Sequence, residues 1–333
     1  MSETKQYSLV FAKEASAELI RASCPGPCVR VTTRAEYMQA VIRYHPAVAF
    51  VDLDLLPQVD GVAPRIVIVG IFEDTRANAV RTLVAYPWLS HLIASALLPT
   101  PEAGAHLAAL FERLADGPPQ YPVGPGGVGR VALLGSSTRR EARFERMREF
   151  MAARGVPMRA VMSCSDIAEE LVTNALYDAP VEAGYFPSAV ERTSGIELPP
   201  EHACEISYGM EDSTAFVRVR DPFGALKRAR LLNVLKRCTS SGVALDESRG
   251  GAGLGLWRIF STATTVDITV IPGNLTDILA RVDLKRGRSV GKQLLAVHLF
   301  FPAEHAHDGT HGRFAADHDH DLMDDSFTAM FVA

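Results

Sequence analysis

The chain has 333 residues, 47% hydrophobic and 22% charged, the composition of a folded globular protein long enough for two domains rather than of a disordered chain. It carries 34 Lys and Arg against 39 Asp and Glu, and seven acids against one base fall from Ala303 onward, so the body is left near +1 without the clustered basic footprint of nucleic-acid binding. No uncharged apolar run reaches the roughly 18–20 residues of a membrane helix, Met1–Gln6 is polar, and five cysteines, an odd number, read as reduced thiols; a cytoplasmic protein partnered by neither nucleic acid nor membrane is expected.

The N-terminal third alternates short apolar runs with helical segments: YSLVFA, a helix near Ala15–Ala22, VRVTT, a helix over Arg34–Tyr44, VAFVDLDLL, RIVIVGI, a helix near Asn78–Tyr86, and HLIASALL. That alternation predicts a doubly wound parallel sheet covered on both faces. Between its early elements, Cys24 and Cys28 bracket a Pro-Gly-Pro turn, and no second cysteine pair completes a zinc set. With Asp52 closing the third run, residues 1–116 resemble a response-regulator receiver domain, a protein-contact module. A working receiver needs an acidic pair after the first strand, where Ala12, Lys13 and Glu14 stand. It also needs a hydroxyl after the fourth, where Gly70 and Ile71 stand instead, and a Lys before Pro after the fifth, where Leu98 precedes Pro99. Asp52 is expected to have lost phosphorylation chemistry.

Residues 117–129 hold five glycines and four prolines, which break helix and strand alike and mark a linker. Beyond it come a strand at Arg130–Gly135 and a basic helix over Arg139–Ala153 whose Phe144, Met147, Phe150 and Met151 form a core face. Residues 303–333 read as an acidic, His-rich tail.

Three motifs follow in order. In SDIAEELVTNALYDAP, Ser165 or Asp166 is a candidate cap for a helix that carries Glu170 and Asn174 four residues apart, hence on one face. Asn offers a neutral oxygen to a hard cation such as magnesium, and Glu can accept a proton; alone, the pair also reads as solvated helix surface. In AFVRVRDPFGAL a strand ends at Asp221 before a Pro-Phe-Gly turn that contains Gly224, and a carboxylate so placed can accept an exocyclic amine such as that of adenine. In GGAGLGL, Gly251, Gly253 and Gly255 around Leu254 let backbone amides approach phosphate at the start of a helix.

In this order the motifs resemble the nucleotide-binding domain of the GHKL superfamily, which groups gyrase, the heat-shock chaperone ATPase, histidine kinases and mismatch-repair ATPases. ELVTNA looks closest to the anti-sigma-factor serine kinase branch. The resemblance covers residues 130–302 and implies an α+β sandwich of the Bergerat type with further strands near Glu205–Met210, Val266–Ile271, Asp277–Asp283 and Leu294–Phe301. It implies ATP and Mg2+ as cofactors, Asn174 as the magnesium ligand, Asp221 and Gly224 at adenine, and Glu170 as general base. Gly251, Gly253, Leu254 and Gly255 would wrap the triphosphate under a lid over residues 225–249. The family's DxGxG departs here at Phe223 and Ala225, and the terminal Thr that supports adenine is not found in GKQLLAVHLFF. The helix at Arg139–Ala153 holds no His to be autophosphorylated, and no transducer domain follows. The expected function is a signalling regulator acting on a protein partner, either as an ATP-dependent binding switch or as a protein serine/threonine kinase, with homodimerisation left open.

Overall fold

The computed structural model describes residues 7–61, 66–73, 76–120, 122, 127–239, 254–285, 294–302 and 329–332. The molecule is mixed α/β, and among the described residues the strands join in one twelve-stranded mixed sheet. In the N-terminal half, β1 (Ser8–Phe11), β2 (Cys28–Arg30), β3 (Val48–Asp52), β4 (Val67–Phe72) and β5 (His91–Ala94) lie in the order 2-1-3-4-5, all parallel. This is the order of flavodoxin-like doubly wound sheets. Every residue of β1, β3 and β5 is buried, as a strand covered on both faces requires. Val10, Phe50 and Ile71 pack under α1 (Glu14–Ser23) and α5 (Ala103–Asp116). Leu9, Phe11 and Val51 face the other way, toward α2 (Arg34–Tyr44) and α4 (Arg76–Ala85), with the short α3 (Leu56–Val59) between them in sequence.

In the C-terminal half, β6 (Val128–Leu134), β7 (Cys204–Glu211), β8 (Thr214–Asp221), β10 (Leu275–Asp283) and β9 (Thr265–Ile271) pair antiparallel in that order. Next comes β11 (Ala296–Phe300), parallel to β9, and β12 (Ala329–Val332) closes the outer edge against β6. Ala215, Val217 and Val219 point to the helical face, where α6 (Arg140–Ala153), α7 (Met158–Thr173), α9 (Arg228–Thr239) and α10 (Leu254–Thr262) pack. On the opposite face, Arg218 of β8, Asp277 of β10 and Asp267 and Thr269 of β9 form a buried polar layer.

The halves meet strand to strand, because β11 pairs antiparallel with β5 and sets His298 opposite His91. Around that seam the His106 and His298 Nε2 atoms lie 2.9 Å apart, and Arg113 of α5 binds Asp267 at 2.7 Å and Thr269 at 2.8 Å. Burial holds all three imidazoles below the ordinary histidine range, His91 at about 3 and His106 at about 4. The segment between the halves is fastened too. Arg218 donates to the carbonyls of Pro119 and Gln120 at 2.7 and 2.9 Å, Arg220 to Pro119 at 2.8 Å, and Arg281 to Pro122 at 3.4 Å.

The helix carrying Glu170 starts earlier than Ser165. It begins at Met158 after Pro157, since Ala160, Val161 and Cys164 extend the buried face. Ser165 sits within it, and its hydroxyl accepts from Arg148 at 3.1 Å. Gly70 and Ile71 lie inside β4, Glu73 follows that strand, and Ser95 rather than Leu98 follows β5. Among the described residues no helix is long and apolar enough to cross a membrane.

Candidate functional site

A cleft of about 570 Å³, counted to its open mouth, lies at the ends of β8 and β10 beneath α7, α9 and α10. Leu171, Ala175, Val219, Leu226, Leu256 and Ile278 make apolar walls, and Asn174, Asp221 and Thr276 place polar atoms among them.

Asn174 enters the cleft where α7 gives way to a π-helical turn, Asn174–Asp178, before the short α8 (Ala179–Glu182). Such turns widen a helix and shift its side-chain face, and they recur at functional sites. Asp221 is the last residue of β8. Its carboxylate accepts the Phe223 backbone N–H at 3.0 Å, and burial raises it to about 6. Gly224 holds that turn: its φ is +56°, and a Cβ there would stand 2.1 Å from the Ile271 carbonyl oxygen in the β9–β10 hairpin. Phe223, at a position where the family pattern has glycine, does not line the cleft. Its ring stacks on His202 at 5.4 Å and meets Tyr185 at 5.9 Å, which anchors the turn from behind.

Thr276 is the residue that sequence reasoning missed. It lies directly opposite Asp221 in the β8–β10 register. Its hydroxyl is close enough to favour the ionised carboxyl, yet it closes no hydrogen bond and is buried without a partner among the described residues. The signal was the Pro272-Gly273-Asn274 turn, which ends one strand and places Thr276 at the start of the next.

Glu170 stands one helical turn before Asn174, outside the cleft lining, against the start of α10. A Cβ on Gly255 would fall 2.0 Å from its Oε2, so only glycine lets this carboxylate rest there. Arg258 pairs with Glu170 at 3.6 Å and with Asp166 at 3.1 Å. Burial raises the Glu170 carboxyl, and Arg192 and Arg258 oppose the shift. The expected phosphate loop lies mostly outside the described residues: Gly251 and Gly253 are not among them, and of Leu254 only its place at the start of α10 is.

Arg230 of α9 lines the cleft and was also missed, being one of several bases in the interval expected as a lid. It pairs with Glu182 and lies 3.5 Å from Asp178, which Arg192 also approaches at 3.6 Å. Two residues earlier, Arg228 donates to the Pro87 and Leu89 carbonyls and the Ser90 hydroxyl at 2.9, 2.6 and 3.2 Å, tying the base of α9 to the N-terminal half.

The other strand-end carboxylate, Asp52, is not part of that lining. It is buried, which raises its carboxyl, and it accepts the Lys13 backbone N–H at 2.7 Å. The Lys13 ammonium reaches Glu73 at 2.8 Å and Asp54 at 3.7 Å. Among the described residues no group of three or more His, Cys, Asp or Glu is arranged to hold a metal. Cys24 and Cys28 are free thiols, and the histidines of the tail lie outside the described residues. No protein-family model matches the chain, and no curated protein matches it.

Proposed function

We propose that the chain is a signalling regulator whose C-terminal half binds ATP with Mg2+ as a GHKL-type domain, and that nucleotide occupancy governs its binding to a partner protein. One observation carries the reading. Asn174, Asp221 and Thr276, drawn from segments far apart in sequence, converge on a single apolar-walled cleft. The residues fit the group: a buried carboxylate and a hydroxyl lacking a partner stand opposite each other in the register where a base amine would be read, and Asn174 in the same lining supplies a hard oxygen. Magnesium, when bound, would neutralise triphosphate charge. The chain's own contribution is to orient the base between Leu171, Val219 and Ile278 and to accept its amine at Asp221. The N-terminal half is read as a receiver-like module retained for protein contact.

Isothermal titration with ATP in millimolar magnesium tests this. Micromolar binding is expected, and Asp221→Asn should weaken ATP far more than it weakens inorganic triphosphate. Absence of any adenine nucleotide binding overturns the assignment.

The kinase reading has its own support in Glu170, a half-buried carboxyl raised by burial and set beside the Gly255 helix start. Glu170→Gln removes a base commonly worth 10²- to 10⁴-fold in rate while leaving nucleotide affinity intact. If partner binding still answers to ATP in that variant, the switch reading stands. Loss of phosphate transfer and partner control together would favour the kinase.

A further inference from the structure

The outer edge of the sheet is only half covered. β6 pairs with β7 along its whole length, from Val128 opposite Met210 to Leu134 opposite Cys204. On its other side β12 reaches only Val128–Val131, and beyond it Leu133 is 51% exposed. An unpaired edge is a template for another strand, and proteins ordinarily block it.

The covered part has a shape of its own. Gly129 and Gly209 are neighbours across β6 and β7, and a Cβ on Gly209 would stand 2.2 Å from the Val128 carbonyl oxygen and 2.8 Å from the Phe216 ring. The Phe216 ring therefore lies over Gly209, and the next place outward on the same row is bare at Gly129. The register sets Phe331 of β12 opposite Gly129. Aromatic residues beside strand glycines are a known way of pinning register. On the other face, Arg130 lies with its guanidinium 5.3 Å from the Phe150 ring, and its Nε is buried without a hydrogen-bond partner among the described residues. The residue opposite Arg130 is Met330, which has no acceptor stronger than a thioether. By register alone, the chain's own strand sets an aromatic residue opposite the glycine and no acidic residue opposite the arginine.

We infer that the β6 edge is a docking surface for an extended segment of a partner protein, one carrying an acidic residue opposite Arg130 followed by an aromatic opposite Gly129. The C-terminal strand is its tethered placeholder. Twenty-eight residues separate Phe300 from Ala329. At about 3.3 Å per residue they span up to roughly 90 Å, while six strand spacings of about 4.8 Å cover only about 29 Å. A connection of that length suffices for the crossing, and a strand so tethered competes at an effective concentration of order millimolar. A partner wins by pairing along all of β6 and by satisfying Arg130.

The test uses the full chain and two dye-labelled peptides, Ser326–Ala333 and the same peptide carrying Met330→Glu. Fluorescence anisotropy should show weak binding to the native protein and binding at least about tenfold tighter to a full-length Met330→Pro chain, whose own strand is broken. The glutamate peptide should bind severalfold tighter than the parent, and Arg130→Gln should erase that preference while leaving the parent peptide's affinity unchanged. Hydrogen exchange of Val128–Val131 amides should quicken in Met330→Pro and slow again on adding peptide. Equal exchange in native and Met330→Pro chains, or no gain in peptide binding on breaking the strand, overturns the docking surface. Equal affinity for the two peptides overturns the acidic partner.

Discussion

Asp52 and Asp221 occupy equivalent places, each the last residue of a buried strand in an α/β layer, yet the chain treats them differently. Around Asp52 it supplies the neighbours itself: the Lys13 backbone N–H is bonded to the carboxylate, and the Lys13 ammonium bridges Glu73 and Asp54. At Asp221 it also supplies a backbone N–H, from Phe223 at 3.0 Å, but sets the carboxylate in the lining of a cleft. A hydroxyl stands opposite without closing a bond, the walls are apolar, and the space in front is open. A strand-end carboxylate becomes a candidate binding group through what its surroundings leave unsatisfied, and position in the fold alone does not distinguish the two.

The sharpest way to break this contrast is to exchange its consequences. Asp221→Ala is expected to weaken ATP by about 100-fold, the scale of a lost buried charge-assisted hydrogen bond. Asp52→Ala should leave ATP affinity unchanged, and the native protein should take up no stable phosphate from a small phosphodonor. Titration calorimetry and intact mass report both, and phosphate incorporation abolished by Asp52→Ala would erase the distinction.

Acid sharpens the comparison at the seam where the halves join. His91, His106 and His298 are buried neutral, so their contribution is complete above the unfolded value near 6.5 and is lost as pH falls toward about 4 for His106 and about 3 for His91. At pH 5 that amounts to about 2 kcal/mol for each of His91 and His106. Asp221 runs the other way: with its carboxyl raised to about 6, its contribution to stability is full below about 4 and fades as pH rises through 6. The histidines should dominate. Urea unfolding midpoints are expected to drop between pH 7 and pH 5, with less loss in His106→Leu. A midpoint that holds or rises would mean the imidazoles are already hydrated.

The smallest effect belongs to Thr276. Its hydroxyl closes no bond in the free protein, so Thr276→Val should change thermal stability by less than about 1 kcal/mol while weakening adenine nucleotides severalfold. Equal affinity of the two chains would remove Thr276 from the base-reading pair.

The strands were legible because Val, Ile and Phe cluster in runs of the right length between turn residues, and Asn174 and Asp221 were legible because helix spacing and a strand-ending turn are local signals. Thr276 was not, since its meaning lies in a register with a residue 55 positions away. The joining of β5 to β11 was equally hidden: each is a short apolar run that reads as the last strand of its own sheet, and nothing in HLIA or AVHLF says that one seeks the other. Ser165 misled for the opposite reason. A hydroxyl before an apolar helix is a good local cap, but the buried face upstream of it continues and carries the helix back to Met158.

The crossover at Pro119–Pro122 bears on how the molecule can move. Proline-rich backbone keeps its carbonyls while losing N–H groups, so this stretch is a strip of acceptors, and Arg218, Arg220 and Arg281 supply the matching donors from the polar face of the sheet. A stretch composed like a hinge is thereby made into a weld. Cleaving the backbone between Pro122 and Gly127 should yield two fragments that still sediment together, because the β5–β11 pairing and these guanidinium contacts hold the described parts of the two sides without the covalent link.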